Sequence, residues 1–345
     1  MLNTTTCKYS CDFLNLDKEL NDNFKERKAF GRFLSRSYTR LGFVEKCEKI
    51  ENCGATLDFG HRPDGSFKLA NAYFCKNRLC PMCAWRRSRK IFSQVMQIMN
   101  IIKDNYQFIF LTLTVPNVSA DMLESKLNQM QGAFRKLIRR KAVKDVARGY
   151  FKALEITYNK ERDDYHPHFH VIIAVPKNYF TSNFYIKQYQ WLEMWQKSMK
   201  DDNIKMVDVR KLKAKDDRGI GSAVAEVAKY SVKPSDYIFS DNPMLTDKVV
   251  YTFDSVLFSR RLCSFGGCFA DVREKLGLDD VMDGDLLHTD DNNDVKDYDS
   301  IYKVRWNWKE FKFVLFAVVY PDVTLITDVN SSVMWDSETG EILIE

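Results

Sequence analysis

Three apolar runs in the middle of the chain, residues 108–115, 151–158 and 168–175, are interrupted by polar residues at a fixed parity. Side chains alternate faces along a strand, so Thr112 and Thr114 share a face opposite Leu111 and Leu113. By the same rule Glu155 and Thr157 oppose Leu154 and Ile156, and His168 and His170 oppose Phe169 and Val171. Between the first two runs Leu123, Leu127, Met130, Phe134 and Leu137 recur at helical spacing, which predicts an amphipathic helix with Ser119 at its N-cap. The order strand, helix, strand, short turn, strand predicts an α+β sheet covered by helices on its apolar side, with the polar face open for chemistry.

Further along, residues 222–234 read as a helix capped by Ser222 and stopped by Pro234. Wound at about 100° per residue, Ala223, Val224, Val227, Ala228 and Val232 fill one arc, and Glu226, Lys229, Tyr230 and Lys233 gather on the other. On such a helix Glu226 and Tyr230 are i,i+4 neighbours, and the two lysines favour a phenolate or hold a phosphate. A solvated helix face carrying an amphipathic tyrosine gives the same pattern. Residues 305–316 alternate like a strand and predict a small β-rich tail. These patterns divide the chain into an arm at 1–45, a cysteine-rich basic region at 46–104, a catalytic domain at 105–240 and a C-terminal region at 241–345 of unassigned role.

Length and composition narrow the class. With 345 residues and 45% hydrophobic content, the chain is expected to form two or three folded units. No stretch has the order of a signal peptide, and the longest apolar runs, such as 313–320, are too short to span a bilayer, so a cytoplasmic protein is expected. Nine cysteines, an odd number, argue against a disulfide framework and leave metal binding or burial. The net charge of +5 is mild but unevenly spread. Lys76, Arg78, Arg86, Arg87, Arg89 and Lys90 form one basic cluster, and residues 135–148 a second, whereas 279–299 holds nine aspartates against Lys296. Charge runs are usually solvated faces; two of them flanking a metal-like motif favour a phosphate backbone as partner.

The chemistry concentrates in two places. Three of the five histidines, His166, His168 and His170, lie within five residues. In a strand, same-face side chains repeat every ~6.5 Å, so His168 and His170 would aim two imidazoles at one ion. Ordinary strand histidines bonded to their neighbours would show the same spacing. Glu155 has the chemistry and parity of a third ligand, with His166 as competitor. An ion so held can polarise a phosphodiester while Tyr230 attacks phosphorus, giving a 5′-phosphotyrosine in a nearly energy-neutral exchange. The second place is Cys80-Pro-Met-Cys83, which has the knuckle spacing of zinc sites. Cys75 lies just before it and Cys53 can supply a fourth thiolate, with Cys47 or His61 as substitutes; buried free thiols are the alternative. Four protein ligands would make any zinc structural and would fix the basic segment 85–90 for phosphate contact.

The residues Phe110-Leu-Thr-Leu-Thr114, Tyr165-His-Pro-His-Phe-His-Val171 and Glu226-Val-Ala-Lys-Tyr-Ser-Val-Lys233 stand in the order and spacing of a known family. With Phe74–Arg87 and Trp191–Trp195 they cover roughly residues 46–285, and there the chain resembles the single-tyrosine HUH-type rolling-circle replication initiators of small bacterial plasmids. The resemblance implies a ferredoxin-like antiparallel sheet, Tyr230 as nicking nucleophile, and His168 and His170 as ligands for Mg²⁺ or Mn²⁺. It supports Glu226 activating water for a terminating second cleavage and places Lys233 in the catalytic set. Tyr230, Lys229, Arg86, Arg87 and Arg89 are the expected DNA contacts. The implied partners are a double-strand origin with a hairpin or single-stranded nick site, a host helicase, since the chain has no Walker A loop, and a host polymerase. The rival readings are an HUH relaxase or transposase, a zinc-dependent hydrolase, and a non-catalytic DNA-binding repressor.

Overall fold

The structure is a computed structural model that describes residues 15–212, 217–229, 231–289, 298–320, 323–328, 331–336 and 342–343. Its first helical run passes from a π-helical stretch, Leu20–Lys25, directly into α1 (Glu26–Arg40), followed by α2 (Val44–Asn52). Leu16, Leu20, Phe24, Leu34 and Tyr38 are buried. From residue 15 on, the region expected to be an arm or small helical lead-in is helical, with one side packed into the core. The Phe24 ring meets Phe59 and Trp85 edge-on at 5.7 and 5.0 Å. A hairpin, β1 (Thr56–His61) and β2 (Phe67–Ala72), leads to the 22-residue α3 (Pro81–Ile102). Pro81 occupies the first turn of α3, where its missing N–H is one that no helical carbonyl would accept.

The next unit runs β3 (Tyr106–Thr114), α4 (Ala120–Arg139), β4 (Gly149–Asn159), β5 (Asp164–Pro176), α5 (Gln188–Met199) and β6 (Val207–Leu212). It continues through α6 (Asp217–Val227), α7 (Pro243–Leu257), β7 (Cys263–Gly267) and α8 (Cys268–Lys275). The strands form a five-stranded sheet in the order β6-β3-β5-β4-β7, every pair antiparallel. The parity holds: Thr114 faces His168, Thr112 faces His170 and Glu155 faces His168 across the strands. The opposite face, Leu111, Leu113, Leu154, Ile156, Phe169 and Val171, is buried together with the expected stripe of α4. Ser119 sits at the N-cap of α4 without a side-chain cap bond. Trp191 and Trp195 on α5 are core residues, and the Trp195 indole N–H donates to Thr114 O at 2.7 Å.

Two strand pairings cross the expected boundaries. β7 lies beyond residue 240 yet pairs with β4, an approach that needs glycine: a Cβ on Gly267, whose φ is +55°, would sit 2.3 Å from Arg148 O. β8 (Ser300–Asn307) pairs with β1, so the cysteine-rich and C-terminal regions share a seven-stranded sheet, which with β9 (Lys312–Val319), β10 (Val323–Asp328), β11 (Ser331–Asp336) and β12 (Ile342–Leu343) has the order β12-β11-β10-β9-β8-β1-β2. Residues 305–316 are not one strand but the hairpin of β8 and β9 (Lys312–Val319). The Asn307 side chain accepts from Lys309 N and Glu310 N at 2.9 and 3.2 Å, an Asx turn that reverses the chain.

The helix expected over 222–234 is displaced. α6 runs Asp217–Val227, so Ser222 is interior, and it ends before Lys229. Ser231 O instead accepts Ile156 N at 2.8 Å, drawing this segment onto β4, and Pro234 disfavours helical backbone at Lys233. The i,i+4 relation expected between Glu226 and Tyr230 involves a residue outside the described ones.

Candidate active site and cysteine centre

The alternation of β5 puts His168 and His170 on the polar face, and the β4–β5 register puts Glu155 opposite His168. Glu155 Oε2 lies 2.9 Å from His168 Nε2 and 2.8 Å from His170 Nε2. One oxygen thus meets both imidazoles, and its carboxylate partner Oε1 lies 3.3 Å from Lys233 Nζ. Burial pushes the Glu155 carboxyl up, but the bonds and charge of His168 and His170 outweigh it and hold it well below the usual carboxylate range. Thr112 Oγ1 sits 3.3 Å from His170 Nδ1, leaving Nε2 as the nitrogen turned to the site.

Glu155, His168 and His170 offer ligand atoms within 4.8 Å of one another, and each is buried or nearly so. Neighbouring donors ~2.1 Å from an octahedral ion stand ~3 Å apart, so the observed 2.8 and 2.9 Å spacings suit a small divalent cation. Two imidazoles and one carboxylate also leave coordination positions open. His166 shares the face but stands aside, its ring 5.4 Å from that of His168, and burial followed by the His168 charge pushes its pKa down.

Of the downstream motif, Lys233 reaches the triad, while Glu226 and Lys229 pair with each other. Tyr230 lies outside the described residues. Sequence reasoning missed Asp236, whose Oδ2 accepts Lys233 N at 3.3 Å and whose carboxyl is pushed up by burial. A proline followed within two residues by an aspartate was the available signal of a turn there.

Cys53, at the end of α2, Cys75, after β2, and Cys80 and Cys83, at the start of α3, bring four sulfurs together. Sγ separations are 3.5 Å for Cys53–Cys83, 3.5 Å for Cys80–Cys53 and 3.6 Å for Cys75–Cys83. A tetrahedron with Zn–S bonds of ~2.3 Å has edges of ~3.8 Å, so the cluster is nearly the size zinc requires. Burial opposes charge here, yet bonds from the neighbouring sulfurs draw the Cys80 thiol well below its ordinary value. The Cys53 bond pushes Cys75 up and burial pushes Cys83 up: without a cation the cluster carries little charge, and with one it can carry more. Cys47 bonds to Thr39 and His61 packs on Phe67, so neither substitutes for Cys53.

The expected DNA contacts on α3 are corrected. Arg86 and Arg87 are each only 5% exposed. Arg86 Nε donates to Leu286 O at 2.8 Å, and Arg87 donates to Met282 O and Asn77 O at 3.2 and 3.1 Å. These guanidiniums fasten segment 279–289 to α3, where phosphate cannot reach them. Arg89 is exposed, its guanidinium 5.6 Å from the Trp85 ring.

The family model described as "Replication protein" matches residues 66–314. The chain belongs to the replication protein family. Among its relatives, a "Protein rep" from Streptococcus pneumoniae serotype 2 (strain D39 / NCTC 7466) is 38% identical over 291 residues, covering 83% of this chain and 89% of that protein. A "Protein rep" from Bacillus sp is 43% identical over 263 residues, 71% of this chain and 85% of that protein. Another from Staphylococcus aureus is 40% identical over 228 residues, 65% and 98%. No solved structure matches the chain. The matched span of this replication protein takes in Glu155, His168 and His170, three of the four clustered cysteines (Cys75, Cys80 and Cys83), and the β2 and β8 strands. No helix among the described residues of this replication protein is long and apolar enough to cross a membrane.

Proposed function

We propose that the chain initiates plasmid rolling-circle replication in the cytoplasm: it binds the double-strand origin and nicks one strand with Tyr230, in an HUH-type endonuclease fold. The tyrosine oxygen bonds to phosphorus as the P–O3′ bond breaks; the 5′ end stays on the protein, and the leaving oxygen takes a proton to become the 3′-OH a host polymerase extends. A host helicase opens the duplex ahead. The observation that carries this reading is the Glu155–His168–His170 cluster, with Lys233, three residues beyond Tyr230, paired to Glu155.

The donor set fits Mg²⁺ or Mn²⁺, which when bound supplies Lewis-acid charge to a phosphodiester oxygen. Around it Lys233 offsets the Glu155 charge, Thr112 orients His170, and Glu226 accepts a proton from water in the terminating cleavage. At the cysteine centre the donor set and its size fit structural Zn²⁺, tying α2 and α3 together. The test is adduct formation between the full chain and a single-stranded origin oligonucleotide, with and without Mn²⁺. A denaturation-resistant adduct that needs the metal, and is lost in His170→Ala, supports nicking; an equal yield in EDTA refutes the metal's part.

A further inference from the structure

A cleft of about 420 Å³, in the size range that takes small ligands, opens beside the cysteine centre. It lies between α2, the loop after β2 and the end of α7, and none of its lining residues belongs to the Glu155 triad. Lys46, Lys49, Lys76 and Arg78 line it against only two carboxylates, Asp254 and Asp283. Lys46 is paired with Asp254 and Arg78 with Asp283, whereas Lys76 Nζ donates to the Asp283 carbonyl at 2.9 Å and has no carboxylate partner among the described residues. Among the described residues Lys49 is held only by Glu45, at 3.9 Å on an exposed surface, a pairing of little strength. At the mouth stands Phe258, 73% exposed at the end of α7, in a place where an apolar ring gains nothing from the protein.

Lysines that track a backbone beside an open aromatic face are the two elements of sequence-tolerant single-strand recognition. We propose that this cleft is a second DNA-binding site, which takes single-stranded DNA with a base stacked on Phe258 and its phosphate between Lys49 and Lys76. A duplex cannot offer the unstacked base, so the occupant is single strand. The assignment rests on the reading that the chain acts on DNA, but not on which residue nicks it. Because Cys75 lines the cleft and Lys76 follows it, the thiol cluster sets the position of one wall.

The test uses the full chain, with fluorescence anisotropy of a labelled single-stranded oligonucleotide that runs well past the nick site, titrated at several salt concentrations. Phe258→Ala is expected to weaken binding about ten-fold. Lys49→Ala is expected to lower the slope of log affinity against log salt by about 0.7, because one fewer phosphate is neutralised by the protein. Both side chains are exposed, so melting temperatures should not move, and both variants should still form adduct with a minimal nick-site oligonucleotide. Unchanged affinity and slope in both variants would overturn the site. A change in Lys49→Ala alone, equal for single strand and duplex, would overturn base stacking and with it the proposal. If the unsubstituted chain forms no adduct, nicking is wrong, and the anisotropy still decides the cleft.

Discussion

Replacing Thr112 by valine removes one hydroxyl while keeping the shape of the side chain, and it isolates the outer support of the histidine pair. Metal at His170 Nε2 requires the proton on Nδ1, and Thr112 Oγ1, 3.3 Å away, is the acceptor for that proton. Removing such an outer partner typically lowers metal affinity 10- to 100-fold. At 3.3 Å the bond is slightly longer than the ordinary range, so the low end applies: about ten-fold, or ~1.4 kcal/mol. Isothermal titration of the full chain with Mn²⁺ measures this directly. His170→Ala serves as the control that loses binding altogether, and the melting temperature without metal should change little. An affinity for Mn²⁺ in Thr112→Val equal to that of the unsubstituted chain would refute the idea that Nε2 of His170 faces the ion.

Other consequences are as direct. The full chain should hold about one equivalent of zinc, and a chelator or Cys83→Ser should lower its melting temperature, because the thiols tie α2, the loop after β2 and α3 together; no bound zinc by elemental analysis contradicts this. Arg87→Ala should destabilise by about 2–4 kcal/mol in urea unfolding, since it removes a buried guanidinium that bonds the carbonyls of residues 76, 77 and 282, with no change in the salt slope of DNA binding. Lys152, 4% exposed between Phe134 and Phe169, has its pKa pushed down by burial to about 8 from 10.5. Between those values the unfolded chain binds more protons, so stability should rise with pH from about 8 to about 10.5, by at most ~3 kcal/mol, and Lys152→Met should flatten that rise.

What was legible in the chain was local and periodic. The shared polar face followed from strand parity alone, and the register then put Glu155 against both imidazoles because side chains on paired strands must stack. The four thiols were legible because Cys80 and Cys83 announce a knuckle. Illegible features depend on residues far off in sequence. The α3 arginines look like a DNA-binding face until segment 279–289, some two hundred residues on, covers them. The end of α6 is set by the bond of Ser231 to β4, which competes with an otherwise well-patterned helix. The pairing of β1 with β8 joins two ends of the chain that share no sequence signal.

Peptide mapping by mass spectrometry of the protein–oligonucleotide adduct tests the central claim most directly. The account predicts one modified peptide, carrying the 5′-phosphate on Tyr230, with no adduct from Tyr230→Phe. An adduct mapped to any other residue, or one that persists in Tyr230→Phe, would contradict it.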